Sequence, residues 1–351
     1  MKSEIVLISD LHWGCRNDIS IFYNYFDKFY DNLLHYMLDN NLTELFILGD
    51  GFDRRKYVNF KTLNAAKRIF YDKFAAANIN IHFILGNHDI HYKETLSLSS
   101  PSLLLQEYTN VVVYDDPRTI TIGNTSIDMI PWLCKENETD IVDHLKKSNA
   151  DLCFGHFEFA NFPMHKGVDN LHGMATDMFQ KYELVCSGHY HTRSQRDNIV
   201  YLGTPYEINW QDYGDDKGFH TFDLNSRELQ FHKNPEVLFY KLIYDEDDMI
   251  DLAQYNLTDC FVRLIVVNKK DLYKFDQFVN QMYSKGCYEI KIIEDINDSN
   301  DGEIGEEIDL EDTLDVLSNY IDSIGLQDQD TKLLNQFMKS LYLEAVNSEG
   351  M

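Results

Sequence analysis

The 351-residue sequence contains no long hydrophobic run and no paired-cysteine motif. An apolar run of about 18 residues is needed to cross a membrane, and none approaches that length, so we expect no membrane span. The N-terminal residues lead directly into an apolar strand, which predicts that there is no signal peptide. The six cysteines are scattered without C-x-x-C spacing. This favours reduced thiols and a cytoplasmic location over a disulfide framework.

Positive charge is also scarce. Lysine and arginine together number 31 against 58 aspartate and glutamate residues, which gives a net charge of −27. Such a charge repels nucleic acids and membrane surfaces at long range. A role on nucleic acid would therefore need a local positive feature, such as bound cations, or a partner that supplies basic surface. Hydrophobic residues make up 44 % of the chain, enough for a large domain and a smaller one.

One short segment, Glu44 to Asp50, shows the pattern around which the sequence is arranged. Four apolar residues, Leu45 to Leu48, predict a buried strand of a parallel sheet, and Gly49 permits a sharp turn. Asp50 is then left at the carboxyl end of the strand, the edge at which open α/β sheets bind ligands. The same arrangement recurs four more times, each time ending in a side chain that can bind a metal.

The predicted strand ends carry carboxylates, imidazoles and one amide. They are Asp10, His12, Asp50, Asn87, His88, His156, His189 and His191. Such nitrogen and oxygen ligands suit Mn²⁺, Fe²⁺, Zn²⁺ or Mg²⁺, and the lack of thiolates argues against a structural zinc site. The set is too large for one ion, whereas seven of its members are enough for two ions that share one carboxylate. Two adjacent ions are the usual means of hydrolysing phosphate esters.

Alternating strand and helix patterns predict an α/β fold. The first part is predicted to contain strands 4–9, 45–48 and 79–85 with helices 20–39 and 61–77, which form a parallel sheet with right-handed crossovers. Later strands, at 111–114, 119–130 and around 152, 185, 200, 220 and 230, indicate a second sheet packed on the first. Residues 139–147 are predicted to be helical. The segment 157–176, with His165 and His172, is predicted to be a long loop that can approach a substrate.

These motifs resemble those of the calcineurin-like metallophosphoesterase superfamily. They are Asp10-Leu-His12, Gly49-Asp50, Gly86-Asn87-His88-Asp89, Gly155-His156 and Gly188-His189-Tyr190-His191, in the order of the family. The resemblance implies a four-layer α/β/β/α sandwich. It implies one metal bound by Asp10, His12, Asp50 and His191, and a second bound by Asp50, Asn87, His156 and His189. Asp50 would bridge the two ions, and His88 would be the catalytic acid that is not a ligand.

The overall plan more narrowly resembles the SbcD-type DNA repair nucleases, above all the small subunit of the tailed-phage recombination endonuclease. It implies a nuclease domain at 1–234, a small α/β capping domain at 235–294, an acidic linker at 295–308 and a C-terminal helical hairpin at 309–351. In that family the hairpin binds an SbcC/Rad-type ABC ATPase. The resemblance implies exonuclease and endonuclease activity on DNA with two Mn²⁺ ions, Mg²⁺ being an alternative. It also implies a homodimer within a heterotetramer, in the host cytoplasm if the chain is phage-encoded.

Asp53 and Arg54 leave a second interpretation open. Asp50-x-x-Asp53-Arg54 also matches a motif of protein Ser/Thr phosphatases, in which Asp53 would act in catalysis by orienting His88 and Arg54 could contact phosphate. The alternative function is therefore a metallophosphatase or small-molecule phosphodiesterase with the same dinuclear site. Gly-Asn-His-Asp, Gly-His-x-His and the predicted hairpin favour the nuclease. A third interpretation is a structural subunit that dimerises and bridges ATPase heads.

Overall fold

The computed structural model describes residues 4–165, 168–170 and 173–294. These residues all fall in one compact unit of the chain. The linker and hairpin predicted at 295–308 and 309–351, and the loop residue His172, lie outside the described residues. Among the helices that are described, none combines the length and the apolar character needed to cross a membrane.

The described residues begin with alternating strands and helices and continue mainly with strands. The strands are β1 Glu4–Ile8, β2 Glu44–Leu48, β3 Asn80–Ile84, β4 Ile90–Tyr92, β5 Thr95–Ser99, β6 Val111–Tyr114, β7 Arg118–Ile122, β8 Thr125–Ile130, β9 Leu152–His156, β10 Pro163–His165, β11 Val168–Asp169, β12 Leu184–Gly188, β13 Ser194–Arg196, β14 Ile199–Tyr201, β15 Gly218–Asp223, β16 Leu229–Lys233, β17 Phe239–Asp245, β18 Phe261–Asn268 and β19 Glu289–Ile293. The helices are α1 Ile21–Asp39, α2 Phe60–Ala66, α3 Asp72–Ala76, α4 Ser100–Leu104, α5 Glu138–Lys147 and α6 Leu272–Ser284, and shorter helical turns lie at Cys15–Asp18, Asp177–Phe179, Trp210–Asp212 and Leu252–Gln254.

Two six-stranded sheets form the main part of the fold. The first has the order β16-β15-β1-β2-β3-β6, in which β1, β2, β3 and β6 are parallel. The parallel arrangement of β1, β2 and β3 is as predicted. The strands β6, β15 and β16 were predicted in the second sheet, and this was wrong, because they pair with β3, β1 and β15. The second has the order β13-β14-β12-β9-β8-β7, with β8, β9, β12 and β14 parallel. In both sheets the antiparallel strands lie outside the parallel ones.

Apolar side chains hold the two sheets and the outer helices together in layers. Phe46 and Leu48 of the first sheet pack with Phe154 of the second, because alternate residues of a strand point to opposite faces. On the outer face of the first sheet, Leu45 packs with helices α1 to α3. On the outer face of the second, Val185 shares a core with α5. The predicted α/β/β/α order of layers is therefore confirmed.

A smaller sheet of the order β17-β18-β19 follows the main sheets. Helix α6 covers one of its faces, where Phe278 packs with Leu242 and Leu264. At its base, Phe239 and Phe261 instead belong to the core around α1. The small α/β unit predicted at 235–294 thus has a core of its own but shares its base with the larger part, and its bounds remain a prediction.

Candidate dinuclear metal centre

The carboxyl ends of strands from both sheets meet at one edge of the sandwich. Asp10 and Asp50 follow β1 and β2, and His156 ends β9 of the second sheet. Ser9 joins the first two strand ends, since its hydroxyl oxygen lies 2.5 Å from Oδ2 of Asp10 and 3.0 Å from the Leu48 carbonyl oxygen, within donating distance of either. The pattern seen in the sequence therefore corresponds to a shared edge, where ligands bind in open α/β folds.

The predicted metal ligands form two adjacent sets. Ligand atoms of Asp10, His12 and His191 lie within 4.8 Å of one another, and so do those of Asp50, His156 and His189. Each group contains three of the four ligands that the family resemblance implied for one metal. The fourth ligand would be Asp50 in the first set and Asn87 in the second. No other group of three or more histidine, cysteine or acidic residues with this spacing occurs among the residues that the structure describes.

Asp50 and Asn87 complete the two sets. The Oδ2 atom of Asp50 lies 3.2 Å from Nε2 of His156 and 3.9 Å from Nε2 of His12, so that it faces both sets. The Oδ1 atom of Asn87 lies 3.0 Å from Nε2 of His156 and 3.1 Å from Nδ1 of His189. The structure thus brings all seven predicted ligands together, and their donor atoms suit hard or borderline divalent cations. Their role as ligands remains a prediction.

Hydrogen bonds fix which nitrogen of two histidines faces the centre. Nδ1 of His156 lies 2.6 Å from the carbonyl oxygen of Leu48, so that Nδ1 must carry the proton and Nε2 is left as an acceptor. Nδ1 of His12 donates to Oδ1 of Asp53 at 3.1 Å, which again directs Nε2 to the centre. A second hydrogen bond of this kind is usual for histidine ligands of metals.

The carboxylates of the site attract positive charge strongly. Burial by itself would lower the pKa of His12, but the hydrogen bond to Asp53 and the nearby carboxylates raise it to about 9. Burial is likewise outweighed at His156, where Asp50 raises the pKa to about 9. The pKa of Asp50 is held well below its ordinary value because His156 and His88 outweigh the effect of burial. The carboxylates thus stabilise positive charge at His12 and His156, whereas burial and the neighbouring His156 lower the pKa of His189 to about 3.

Several of the predicted ligands have a strained backbone. Those with a left-handed φ are Asp10 (55°), His12 (45°), Asp50 (54°) and His189 (92°). Such conformations cost roughly 1–3 kcal/mol each and cluster at functional sites. Gly49, at φ 92°, is needed for a further reason, since a Cβ there would lie 2.2 Å from Nδ1 of His156. The turn predicted at Gly49 is therefore present.

His88 lies beside the first set and is half-buried. Its backbone N–H donates to Oδ1 of Asp50 at 2.8 Å, and its ring centroid is 5.0 Å from that of His12. Nδ1 of His88 lies 2.6 Å from the backbone oxygen of Asp53, which leaves Nε2 available to a substrate. Asp53 was predicted to orient His88, and this role remains a prediction. The carboxylate binds His12, and the backbone carbonyl binds His88.

Arg54 also differs from the phosphatase interpretation. Its guanidinium donates to Asp18 at 3.2 Å and to the hydroxyl of Tyr57 at 2.7 Å, and it contacts Asn17. Three of the N–H donors of Arg54 are thus engaged by side chains of the protein, Asp18 among them. The geometry therefore gives the phosphatase motif no support beyond the position of Asp53.

Two residues of the site were not assigned a role from the sequence. Oδ2 of Asp89 accepts the backbone N–H groups of Asp50 and Gly86 at 2.8 Å, and Oδ1 accepts that of Gly51 at 2.9 Å. Burial and the charge of Asp50 raise the pKa of Asp89 to about 7. Trp132 is half-buried beside the second set. Asp89 and Trp132 each lie shortly after a strand, as the predicted ligands do. This position in the sequence could have indicated that they belong to the site.

A comparison of the sequence with known families agrees with this geometry. Residues 3–193 match the model of the calcineurin-like phosphoesterase family. The chain belongs to this family, and with its two ligand sets it is a metal-dependent phosphoesterase. The superfamily predicted from the five motifs is confirmed.

Individual relatives extend the comparison over nearly the whole chain. The protein is 32 % identical over 344 residues to exonuclease subunit 1 of Enterobacteria phage T4, which covers 97 % of this chain and 99 % of that protein. A putative phosphoesterase 244L of Invertebrate iridescent virus 6 is 26 % identical over 209 residues, 57 % of this chain and 69 % of that protein. A solved dimetal phosphatase from Danio rerio has 13 % identity and a TM-score of 0.42, and the match covers 64 % of this chain and 93 % of that one. A likeness this weak supports no conclusion about function. The predicted likeness to a phage nuclease subunit is confirmed.

Proposed function

We propose that this protein is a two-metal DNA nuclease, with exonuclease and endonuclease activity. In this proposal it is the catalytic subunit of an SbcC/Rad-type ATPase complex for DNA recombination and double-strand-break processing, and it acts in the cytoplasm, that of the host if phage-encoded. The observation that carries the proposal is the pair of ligand sets that face Asp50. The similarity to a phage exonuclease subunit over 97 % of the chain supports the choice of DNA as substrate.

The residues of the site support phosphodiester hydrolysis. Two divalent cations, for which we propose Mn²⁺ with Mg²⁺ as an alternative, would polarise the phosphate and lower the pKa of a water molecule. Asp50 faces both sets and would fix their separation. His88 is tied to the Asp53 carbonyl through Nδ1, which directs Nε2 toward the substrate. In the imidazolium form, Nε2–H would donate its proton to the leaving oxygen and leave the neutral ring with its remaining proton on Nδ1.

Basic residues of the small sheet support binding of a DNA backbone. Lys241, Arg263 and Lys291 are in register across β17, β18 and β19. They lie on the face opposite α6, because the neighbouring residues of each strand point to the helix. Lys241 lies over the ring of Tyr213 and Arg263 over that of Trp210, at 4.7 and 4.3 Å. This row provides the local positive charge that a protein of net charge −27 needs to hold phosphates.

The aromatic segment beneath this row is joined to the metal centre. Trp210 begins a helical turn that ends at Asp212, and Lys217 donates to Asp212 at 2.6 Å. The same ammonium group donates to the backbone oxygen of His191 at 2.8 Å. A backbone that runs along the basic row would thus reach a segment that contacts a predicted ligand of the first set.

Cleavage of linear duplex DNA tests the proposal. The wild-type protein should cleave it with Mn²⁺ and not with a chelator present. His88→Ala should reduce cleavage by about 10²- to 10⁴-fold, the contribution typical of a positioned acid. Its Mn²⁺ content should stay at two ions per chain. His35→Ala is the matched control, because His35 is an exposed histidine bonded only to its own helix at the Asp31 carbonyl.

Two results would contradict the proposal in different ways. Full DNA cleavage by the His88→Ala variant would remove the role given to His88 while leaving the two-metal site intact. Turnover of a phosphomonoester without any DNA cleavage, with or without an ATPase partner, would favour the metallophosphatase alternative.

A further inference from the structure

Trp132 is the aromatic side chain that contacts both imidazoles of the second ligand set. Its ring centroid lies 5.2 Å from that of His189 and 5.8 Å from that of His156. It follows β8, which pairs with β9 and brings Ile130 opposite Gly155. The side chain is half-buried, so that part of the indole surface remains exposed to solvent.

The backbone of Trp132 is held firmly in this position. Its N–H donates to the Leu85 carbonyl at the end of β3 at 2.8 Å, and its carbonyl accepts from the side chain of Asn137 at 3.0 Å. Asn137 is itself buried and also accepts the N–H of Cys134 at 2.8 Å. The indole is therefore presented from the strand ends that build the site, which is the arrangement that a precise contact requires.

Trp132 and His88 lie against different ligand sets. The ring of His88 contacts His12 of the first set, whereas the ring of Trp132 contacts His156 and His189 of the second. A phosphodiester has two ester arms, one that leaves and one that is retained. His88 beside one set could protonate the leaving arm, while the indole of Trp132 beside the other set could contact the retained arm. A phosphomonoester has only one ester arm and could use only one of these two groups.

We propose that Trp132 binds the nucleoside on the retained arm of the scissile phosphodiester by stacking on its base. The proposal rests on the proposed nuclease function. Stacking on an indole tolerates every base, because each base has a π-face, and it suits a nuclease without sequence preference. Trp132 thereby determines specificity for nucleic acid over simple phosphate esters, and it takes no part in the proton transfers.

Oligonucleotides with one cleavable bond test this role. All linkages except one are methylphosphonates, and the nucleotide on either side of the remaining phosphodiester is normal or abasic. The wild-type protein with Mn²⁺ should cleave the normal substrate about ten-fold faster, in kcat/KM, than the substrate that is abasic on the retained arm, a factor within the range for one stacked base. Trp132→Ala should lose this preference by slowing only on substrates with that base, and Trp132→Phe should retain most of it.

Tyr190→Phe is the matched control for packing. Tyr190 is a buried residue whose ring lies 5.0 Å from His189, and its hydroxyl donates to the Phe159 carbonyl at 3.2 Å. This variant alters the packing of the same imidazole from the buried side, so that the base preference should persist. The Mn²⁺ content of both Trp132 variants should equal that of the wild type.

The outcomes separate this inference from the proposed function. Equal rates of the wild-type protein on normal and abasic substrates, or an equal loss on both in Trp132→Ala, would overturn the stacking role alone. Loss of Mn²⁺ from Trp132→Ala would assign the residue to support of the ligands instead. Absence of cleavage of every substrate by the wild-type protein would count against the nuclease function, and the role of Trp132 would fall with it.

Discussion

Asp89 connects two of the loops that carry the predicted ligands. Its carboxylate accepts the N–H groups of Asp50 and Gly51 from one loop and that of Gly86 from the other. Asp89 itself is fully buried. The positions of Asp50 and of the amide ligand Asn87 therefore depend on one side chain that contacts no ligand atom of either set. Groups behind metal ligands commonly change metal affinity by 10- to 100-fold, about the range expected here.

Asp89→Asn should lower metal affinity and activity more than its effect on folding explains. An amide places an NH₂ donor against backbone N–H donors, so that at least one of the hydrogen bonds to Asp50, Gly51 or Gly86 is lost. We expect Mn²⁺ affinity, measured by titration calorimetry, to fall by about 10-fold or more. Asp128→Asn is the control, since Asp128 is equally buried but bonds Thr119 and Tyr182 away from the centre.

The Asp89→Asn and Asp128→Asn variants should therefore differ in metal affinity, although both should be less stable than the wild type. Both should lower the melting temperature, because each leaves buried polar groups without partners. Only Asp89→Asn should change metal affinity. Equal affinities in the two variants would show that Asp89 does not position the ligands.

The candidate ligands could be predicted from the sequence because each follows a buried strand directly. Local order along the chain thus carries the information that brings Asp10, Asp50 and His156 to one edge. The contact of the Asp53 carboxylate with His12 could not be predicted in this way, because it depends on which of two neighbouring imidazoles the loop approaches in three dimensions. The same holds for Trp132, whose partners His156 and His189 come from other strands.

At the scale of elements, the periodic segments were predicted well. The helix predicted at 20–39 is Ile21–Asp39, and the strand predicted at 45–48 is Glu44–Leu48. The helix predicted at 61–77 is interrupted by a π-helical turn, Lys67–Tyr71. The consecutive residues Ile69, Phe70 and Tyr71 of this turn are all buried. A search for the regular period could not detect it.

The loop predicted at 157–176 was simplified, whereas the strand segment predicted at 119–130 was expected to turn at Gly123-Asn124. The first includes the short antiparallel pair β10 and β11, and the second is the hairpin β7 and β8, which turns at Gly123. Two-residue pairings and tight turns depend on contacts between strands more than on a repeating pattern.

Glu207 links the large part of the fold to β17. Its Oε2 atom accepts the backbone N–H groups of Leu238 and Phe239 at 2.7 and 3.0 Å. Burial raises the pKa of Glu207 to about 7, although these two hydrogen bonds act in the opposite direction. The carboxyl group is thus easier to bury in its neutral form, and the strength of this junction depends on pH.

Glu207→Gln should remove this pH dependence. Because the pKa rises from 4.5 in the unfolded chain to about 7 in the folded protein, the contribution to stability is complete below pH 4.5 and is lost as pH rises through 7. The glutamine side chain keeps the accepting oxygen without the charge. Urea unfolding at pH 5 and pH 8 should show that the wild type loses up to about 3 kcal/mol more than the variant. Parallel losses in both proteins would contradict the assignment.

At the scale of the whole molecule, the net negative charge opposes binding of DNA unless the basic groups are concentrated in one region. The chain carries −27 net charges, yet the proposed substrate is a polyanion. The row of Lys241, Arg263 and Lys291 concentrates basic side chains on one face of the small sheet, and divalent cations bound by the two ligand sets would add further positive charge. Three basic side chains are few for stable binding of duplex DNA, because each neutralised phosphate adds only a modest share of the affinity. A partner that supplies further basic surface is therefore expected.

The segment 309–351 is the predicted site for that partner. Leu310, Leu314, Leu317 and Ile321 recur at helical spacing after the acidic linker, a pattern that favours an apolar stripe bound by another protein. Deletion of 309–351 should abolish co-purification with the SbcC/Rad-type ATPase and leave basal nuclease activity. In the full chain, Leu317→Glu should weaken the complex by at least ten-fold. Asn319→Glu, the matched control on the opposite side of the predicted helix, should bind normally. Retained binding after the deletion would assign the segment another role.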